Sequence, residues 1–249
     1  MCRSGVAGST DRRLAALGSR RSIGLVFYAI GDIHGERQAL EELIGALPLR
    51  DDDQLIFMGD YVDRGPDSRG VVEYLIALAK VRTCTFLIGN HESMFLDFLG
   101  WEDPLYFAGD AFLMNGGDRT LVSYDYFESD LEPSLFKIPK KHEAFFRKLK
   151  LHHREGDYLF VHAGLSNSAL DEADVEYALR RTDVEDFLWN RTTGDLPHKL
   201  GVTIIYGHTP ANDLQVRWNS PFSIGIDTGA VYGGKLTAIR LPDETLFQV

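Results

Sequence analysis

Cysteine is nearly absent: Cys2 and Cys84 are the only two in 249 residues, and no CxxC pair occurs. A disulfide framework is therefore excluded, and a reducing, cytoplasmic setting is expected. No apolar run reaches the ~20 residues needed to cross a bilayer, so the chain reads as soluble and without a membrane partner. Positive charge is scarce, with 26 Lys and Arg against 37 Asp and Glu and a net charge of −11. That balance argues against a nucleic-acid partner, which would be held through clustered cations. Residues 1–22 carry five arginines and one acid but no apolar core, which excludes a secretory signal. They read as a flexible N-terminal arm, with an organellar presequence as the other reading. Repeats, Pro-rich linkers and low-complexity runs are also missing, so residues 23–249 are expected to form a single domain.

What is present is an ordinary globular composition, 44% hydrophobic and 25% charged. In an acidic chain a phosphate substrate needs local positive charge, which metal ions can supply, and metals also give clustered carboxylates a reason to exist.

A rhythm runs along the chain. The apolar segment Ile23 to Ile30 leads into GDIHG, then into a stretch whose Leu40, Leu43, Ile44 and Leu47 mark one helical face. LIFM leads into GDYVDRG at 59–65 and a helix over SRGVVEYLIALAK that Asp67 is placed to cap. CTFLI leads into GNHE and the amphipathic SMFLDFL. YLFV, TIIY and FSIGI run into HAG, GHT and DTG. Polar motifs at the carboxyl ends of six strands should converge on one crevice in an α/β fold. Residues 100–155 lack this rhythm and read as an accessory segment near the site, with a helix around EAFFRKLK.

The candidate ligands Asp32, His34, Asp60, Asn90, His162 and His208 are all oxygen or imidazole donors. Such a set suits Mn, Fe, Zn or Co, and six ligands are too many for one catalytic zinc but enough for two ions sharing a carboxylate. The Asp32-x-His34 spacing at a strand end points both side chains the same way. Glycines beside these residues allow tight turns and close backbone approach. His142, His152, His153 and His198 follow no apolar strand into a glycine and read as structural. The single DTG at 227–229 lacks the second carboxylate that an aspartic protease needs.

The set GDIHG, GDYVDRG, GNHE, HAG and GHT resembles the PPP-type serine/threonine protein phosphatases of the calcineurin-like metallophosphoesterases. The stretches NGG at 115–117, LWNR at 188–191, YGHTPA at 206–211 and IDTGAVYGGKLTAI at 226–239 look most similar to bacterial and bacteriophage members, phage lambda phosphatase among them. The resemblance covers about residues 26–240. It implies a β-sandwich core flanked by helices, with a dimetal site at strand ends. It further implies that Asp32, His34 and Asp60 hold one ion, most often Mn, and that Asp60, Asn90, His162 and His208 hold the other. His91 is implied as general acid, Asp63 as its orienting partner, and Arg64 and Arg191 as the holders of phosphate oxygens. The implied reaction is direct in-line attack on phosphorus by a metal-activated hydroxide. A phosphorylated protein is the first substrate expected; a dinucleoside polyphosphate or other small phosphoester is the alternative. A catalytically silent binding module is remote, because no ligand of the set is missing.

Overall fold

The computed structural model describes residues 26–126 and 136–249. The arm expected at residues 1–22 and the start of the first strand lie outside the described residues. The strands are β1 (Phe27–Ile30), β2 (Gln54–Phe57), β3 (Thr83–Phe86), β4 (His152–Glu155), β5 (Tyr158–Val161), β6 (Thr203–Tyr206), β7 (Arg217–Asn219), β8 (Ser223–Gly225), β9 (Thr237–Leu241) and β10 (Thr245–Gln248). They form two five-stranded sheets, ordered β10-β9-β1-β2-β3 and β4-β5-β6-β8-β7. In the first, β1, β2 and β3 run parallel and β9 pairs antiparallel with β1. In the second, β5, β6 and β8 run parallel, with β4 and β7 antiparallel at the edges.

Side chains alternate across a strand, and here the two parities enter different cores. Phe27, Ala29, Ile56, Met58 and Leu87 of the first sheet's side join Phe160, Ile205, Ile224 and Ile226 of the second in one buried cluster between the sheets. Tyr28, Ile30, Leu55 and Phe57 belong instead to the cluster containing Leu40, Leu43, Val71 and Leu75 of the helices. Both faces being covered explains why these strands read as unbroken apolar runs. Each fully buried side chain of this size contributes about 1.5–3 kcal/mol.

The helices are α1 (Arg37–Ala46), α2 (Ser68–Leu78), α3 (Asn90–Phe98), α4 (Gly117–Ser123), α5 (Lys140–Phe146), α6 (Val175–Arg181) and α7 (Val184–Trp189). Asp67 caps α2 by accepting from Gly70 N at 2.8 Å, which satisfies one of the free N–H groups of its first turn. Helix α3 starts at Asn90, three residues before the amphipathic stretch that marks it in sequence, so its first turn carries the polar GNHE residues. The segment 100–155 departs from the expected accessory unit at its end, because His152–Glu155 is an edge strand bonded to β5.

Candidate active site

Six strand ends converge, three from each sheet: β1, β2 and β3 lead to Asp32 and His34, Asp60, and Asn90, while β5, β6 and β8 lead to His162, His208 and Asp227. The backbone there is bent into a region that L-residues avoid. His34, Asp60, Asp63, Arg64 and His208 all have positive φ, from 45° to 72°. Each such residue costs on the order of 1–3 kcal/mol, a strain that clusters at functional sites. Close approach also needs glycine. A Cβ on Gly89 would collide with the Asp60 carboxylate, and one on Gly207 with that of Asp32.

Asp60 lies at the centre. Its Oδ2 is 3.4 Å from His34 Nε2 and its Oδ1 is 3.5 Å from His162 Nε2, so the two oxygens face opposite sides. Ligand-type atoms of His34, Asp60 and His91 lie within 4.8 Å of one another, and so do those of Asp60, His162 and His208. Asn90 Oδ1 joins the second group, 3.1 Å from His162 Nε2 and 2.9 Å from His208 Nδ1. Asp32 reaches across to the second sheet, where its Oδ2 accepts from His208 N at 2.9 Å. The close cluster on the first side thus contains His91 where the sequence reading has Asp32.

The donors fit a pair of divalent ions. His34 Nδ1 and His162 Nδ1 are held by the carbonyls of Val62 and Met58 at 3.0 and 2.9 Å, which fixes the tautomer with Nε2 facing Asp60. Asp32 Oδ1 and His208 Nε2 are buried with no hydrogen-bond partner. Burial lowers His34 to about 3 and His208 to about 2, keeping both imidazoles in the neutral form that binds metals.

Around this centre stand the remaining candidates. His91 Nδ1 is 2.6 Å from Asp63 Oδ2, both side chains fully buried. Arg64 Nη1 lies 2.7 Å from His34 Nε2, on the first side. Arg191 is exposed and donates to Thr209 Oγ1 at 3.1 Å, next to His208 on the second side. His142, His152, His153 and His198 lie outside both clusters.

Three residues are missed by the sequence reading. Glu92 accepts from the backbone N–H groups of Asp60, Tyr61, Val62 and Gly89 at 2.7 to 3.2 Å, fastening two motif loops together. Its presence in GNHE was the available signal. Thr120 donates to Asp63 Oδ1 at 2.6 Å and accepts from Asp63 N at 2.8 Å, with nothing in the local sequence to mark it. Asp227 is 93% buried beside Asp32, and burial lifts its carboxyl to about 6. Its DTG motif at the end of β8, one of the six converging strand ends, was the available signal.

Among the described residues no helix is long and apolar enough to cross a membrane. Comparison with known proteins agrees with the geometry. The chain is 29% identical to the asymmetrical bis(5'-nucleosyl)-tetraphosphatase PrpE of Oceanobacillus iheyensis, over 88% of this chain and 90% of that protein. It is 27% identical to the symmetrical bis(5'-nucleosyl)-tetraphosphatase of Nitrosospira multiformis, over 90% and 95%. A crystal structure provisionally called a diadenosine tetraphosphatase superposes with a TM-score of 0.62 at 23% identity, covering 92% of this chain and 94% of that one, and so shares the fold. Residues 25–225 match the family model described as calcineurin-like phosphoesterase, and the chain, with its two sheets meeting at Asp60, belongs to that family.

Proposed function

We propose that this calcineurin-like phosphoesterase is a metal-dependent hydrolase of dinucleoside polyphosphates. The observation that carries metal-dependent chemistry is Asp60, whose two oxygens face His34 on one side and His162 on the other. In this reading Asp32, His34 and Asp60 would hold one ion, and Asp60, Asn90, His162 and His208 would hold a second. Two divalent ions, with Mn the first to test and Fe, Zn or Co as alternatives, would supply Lewis acidity and a nucleophile at neutral pH. Arg64 and Arg191, standing on opposite sides, bind phosphate oxygens, which guanidinium groups match in shape. His91, oriented by Asp63, gives a proton to the departing oxygen. A water oxygen bonds to phosphorus and releases its proton to solvent, the bridging P–O bond breaks, and the leaving phosphate oxygen takes the bonding pair together with the proton from His91.

The substrate class rests on the relatives, which are named tetraphosphatases of both cleavage types. This favours the small-phosphoester alternative over the phosphoprotein expected first from the motifs. The test is a panel on Mn-reconstituted protein that compares diadenosine tetraphosphate with phosphoserine and phosphothreonine peptides by kcat/KM. Diadenosine tetraphosphate should lead by at least an order of magnitude. A lead for the peptides would return the chain to the protein phosphatases, and full activity after exhaustive chelation would remove the metals from the mechanism.

A further inference from the structure

Tyr232 stands at the rim of this site, 54% exposed, with the Arg64 guanidinium 5.4 Å from the centre of its ring. It ends the single 3-10 turn Ala230–Tyr232, which follows the strand-end motif containing Asp227. Glycines with positive φ, Gly229 at 67° and Gly233 at 84°, bracket that turn. Below it the Thr228 hydroxyl donates to the Lys235 carbonyl at 2.6 Å, closing the loop's base. The ring is therefore presented on a tied turn. Burial raises the Tyr232 phenol, with Asp227, Asp60 and Asp32 adding to the effect and Arg64 opposing it, which places it within the field of the carboxylate centre.

A second loop meets Arg64. The Gly116 carbonyl accepts from Arg64 N at 3.0 Å, and the residues just before it expose Leu113 (43%) and Met114 (84%). Isolated exposed apolar residues are normal on a protein surface. Here they stand on the two loops that touch the same phosphate-binding arginine, so an anion held by Arg64 would have an aromatic ring beside it.

We propose that Tyr232 is the stacking platform for a nucleobase of the bound dinucleoside polyphosphate. The subsite rests on the reading given under Proposed function. The phosphate held by Arg64 fixes the nucleotide, and its base lies over the Tyr232 ring while the chain leads on toward Asp60. An aromatic face accepts any base, so the subsite selects for a nucleotide and against a bare polyphosphate or an aliphatic phosphoester. The phenol hydroxyl has no part in it.

The test uses the full chain reconstituted with Mn. Tyr232→Ala should raise KM for diadenosine tetraphosphate by roughly 5- to 30-fold, the lower part of the range for loss of one base–aromatic stack, because the ring remains half exposed. The Ki of inorganic tripolyphosphate, which has the same anhydride bonds and no ring, should move less than twofold, and Tyr232→Phe should keep the wild-type KM. An unchanged KM in Tyr232→Ala overturns the subsite while leaving the proposed function standing. A parallel rise in the tripolyphosphate Ki also overturns it, because the ring would then only be holding Arg64 in place. A larger rise for a phosphoserine peptide than for the dinucleotide assigns the ring to peptide binding and overturns it too. Wild-type protein inert toward diadenosine tetraphosphate defeats the proposed function itself, and the subsite falls with it.

Discussion

The Nδ1 of His91 lies 2.6 Å from Oδ2 of Asp63, with neither side chain open to solvent. A carboxylate so placed fixes the orientation of the ring and leaves the other ring nitrogen free to point elsewhere. If His91 is the acid, its value must grow with the basicity of what departs. His91→Asn should therefore cost little on p-nitrophenyl phosphate and up to roughly 10²- to 10⁴-fold on phenyl phosphate, measured as kcat at equal metal content. Equal losses on the two esters would make His91 a group that positions phosphate.

Thr120 acts on the same pair from outside. By donating to the oxygen of Asp63 that His91 does not use, and accepting from the Asp63 backbone, it holds the carboxylate in one orientation. Thr120→Val keeps the side-chain volume and removes both bonds. We expect roughly a 10-fold fall in kcat on phenyl phosphate, as for loss of one charge-assisted hydrogen bond, with a smaller fall on p-nitrophenyl phosphate. Thr120→Ser should restore the rate. A loss identical on both esters and unrescued by serine would mean a packing defect.

Glu92 works through backbone. Its carboxylate takes four N–H groups from the two loops that carry Asp60 and Asn90. Glu92→Ala leaves those donors buried and unpaired, and should lower unfolding free energy by about 3–5 kcal/mol with weakened metal retention. Urea unfolding midpoints measure it. A change below about 1 kcal/mol would show that water replaces the carboxylate.

Acid sensitivity has a source away from the site. His142 is buried, bonded to the Tyr124 hydroxyl at 2.8 Å and 3.0 Å from Glu73, with Lys141 and Arg69 also near. Burial lowers its pKa below 6.5, so the unfolded chain takes up the proton first. Stability is then complete above pH 6.5 and is lost as pH falls toward the folded value. His152, His153 and His198 are shifted the same way by burial and add to the slope. Thermal melts of Mn-loaded protein should lose Tm from pH 6.5 to 5, less steeply in His142→Gln. Parallel slopes for the two proteins would clear His142.

Much of the site is legible in the sequence because each of its strand ends couples an apolar run to a polar motif beside glycine, as at Ile30 to Asp32 and Phe57 to Asp60. Periodicity alone could not separate an open parallel sheet from this sandwich, since both cover each strand on two faces; Phe27 and Tyr28 look alike in sequence yet enter different cores. The sandwich was reached through the family resemblance. Thr120 was illegible for another reason. It lies 57 positions from Asp63, in the short helix α4, and a hydroxyl that pairs over that span leaves no local pattern. The role of Glu92 was hidden because its partners are backbone groups, which carry no residue identity.

The carboxylate Asp60 belongs to one sheet, while His162 and His208, across from it, belong to the other. Ions bound between them would act as a rivet through the sandwich, making the alignment of the two halves and the loading of the centre a single cooperative property. Substitutions far from the chemistry, such as Ile56→Ala or Ile224→Ala between the sheets, would be felt as lost metal, and metal in turn would hide their damage to the fold.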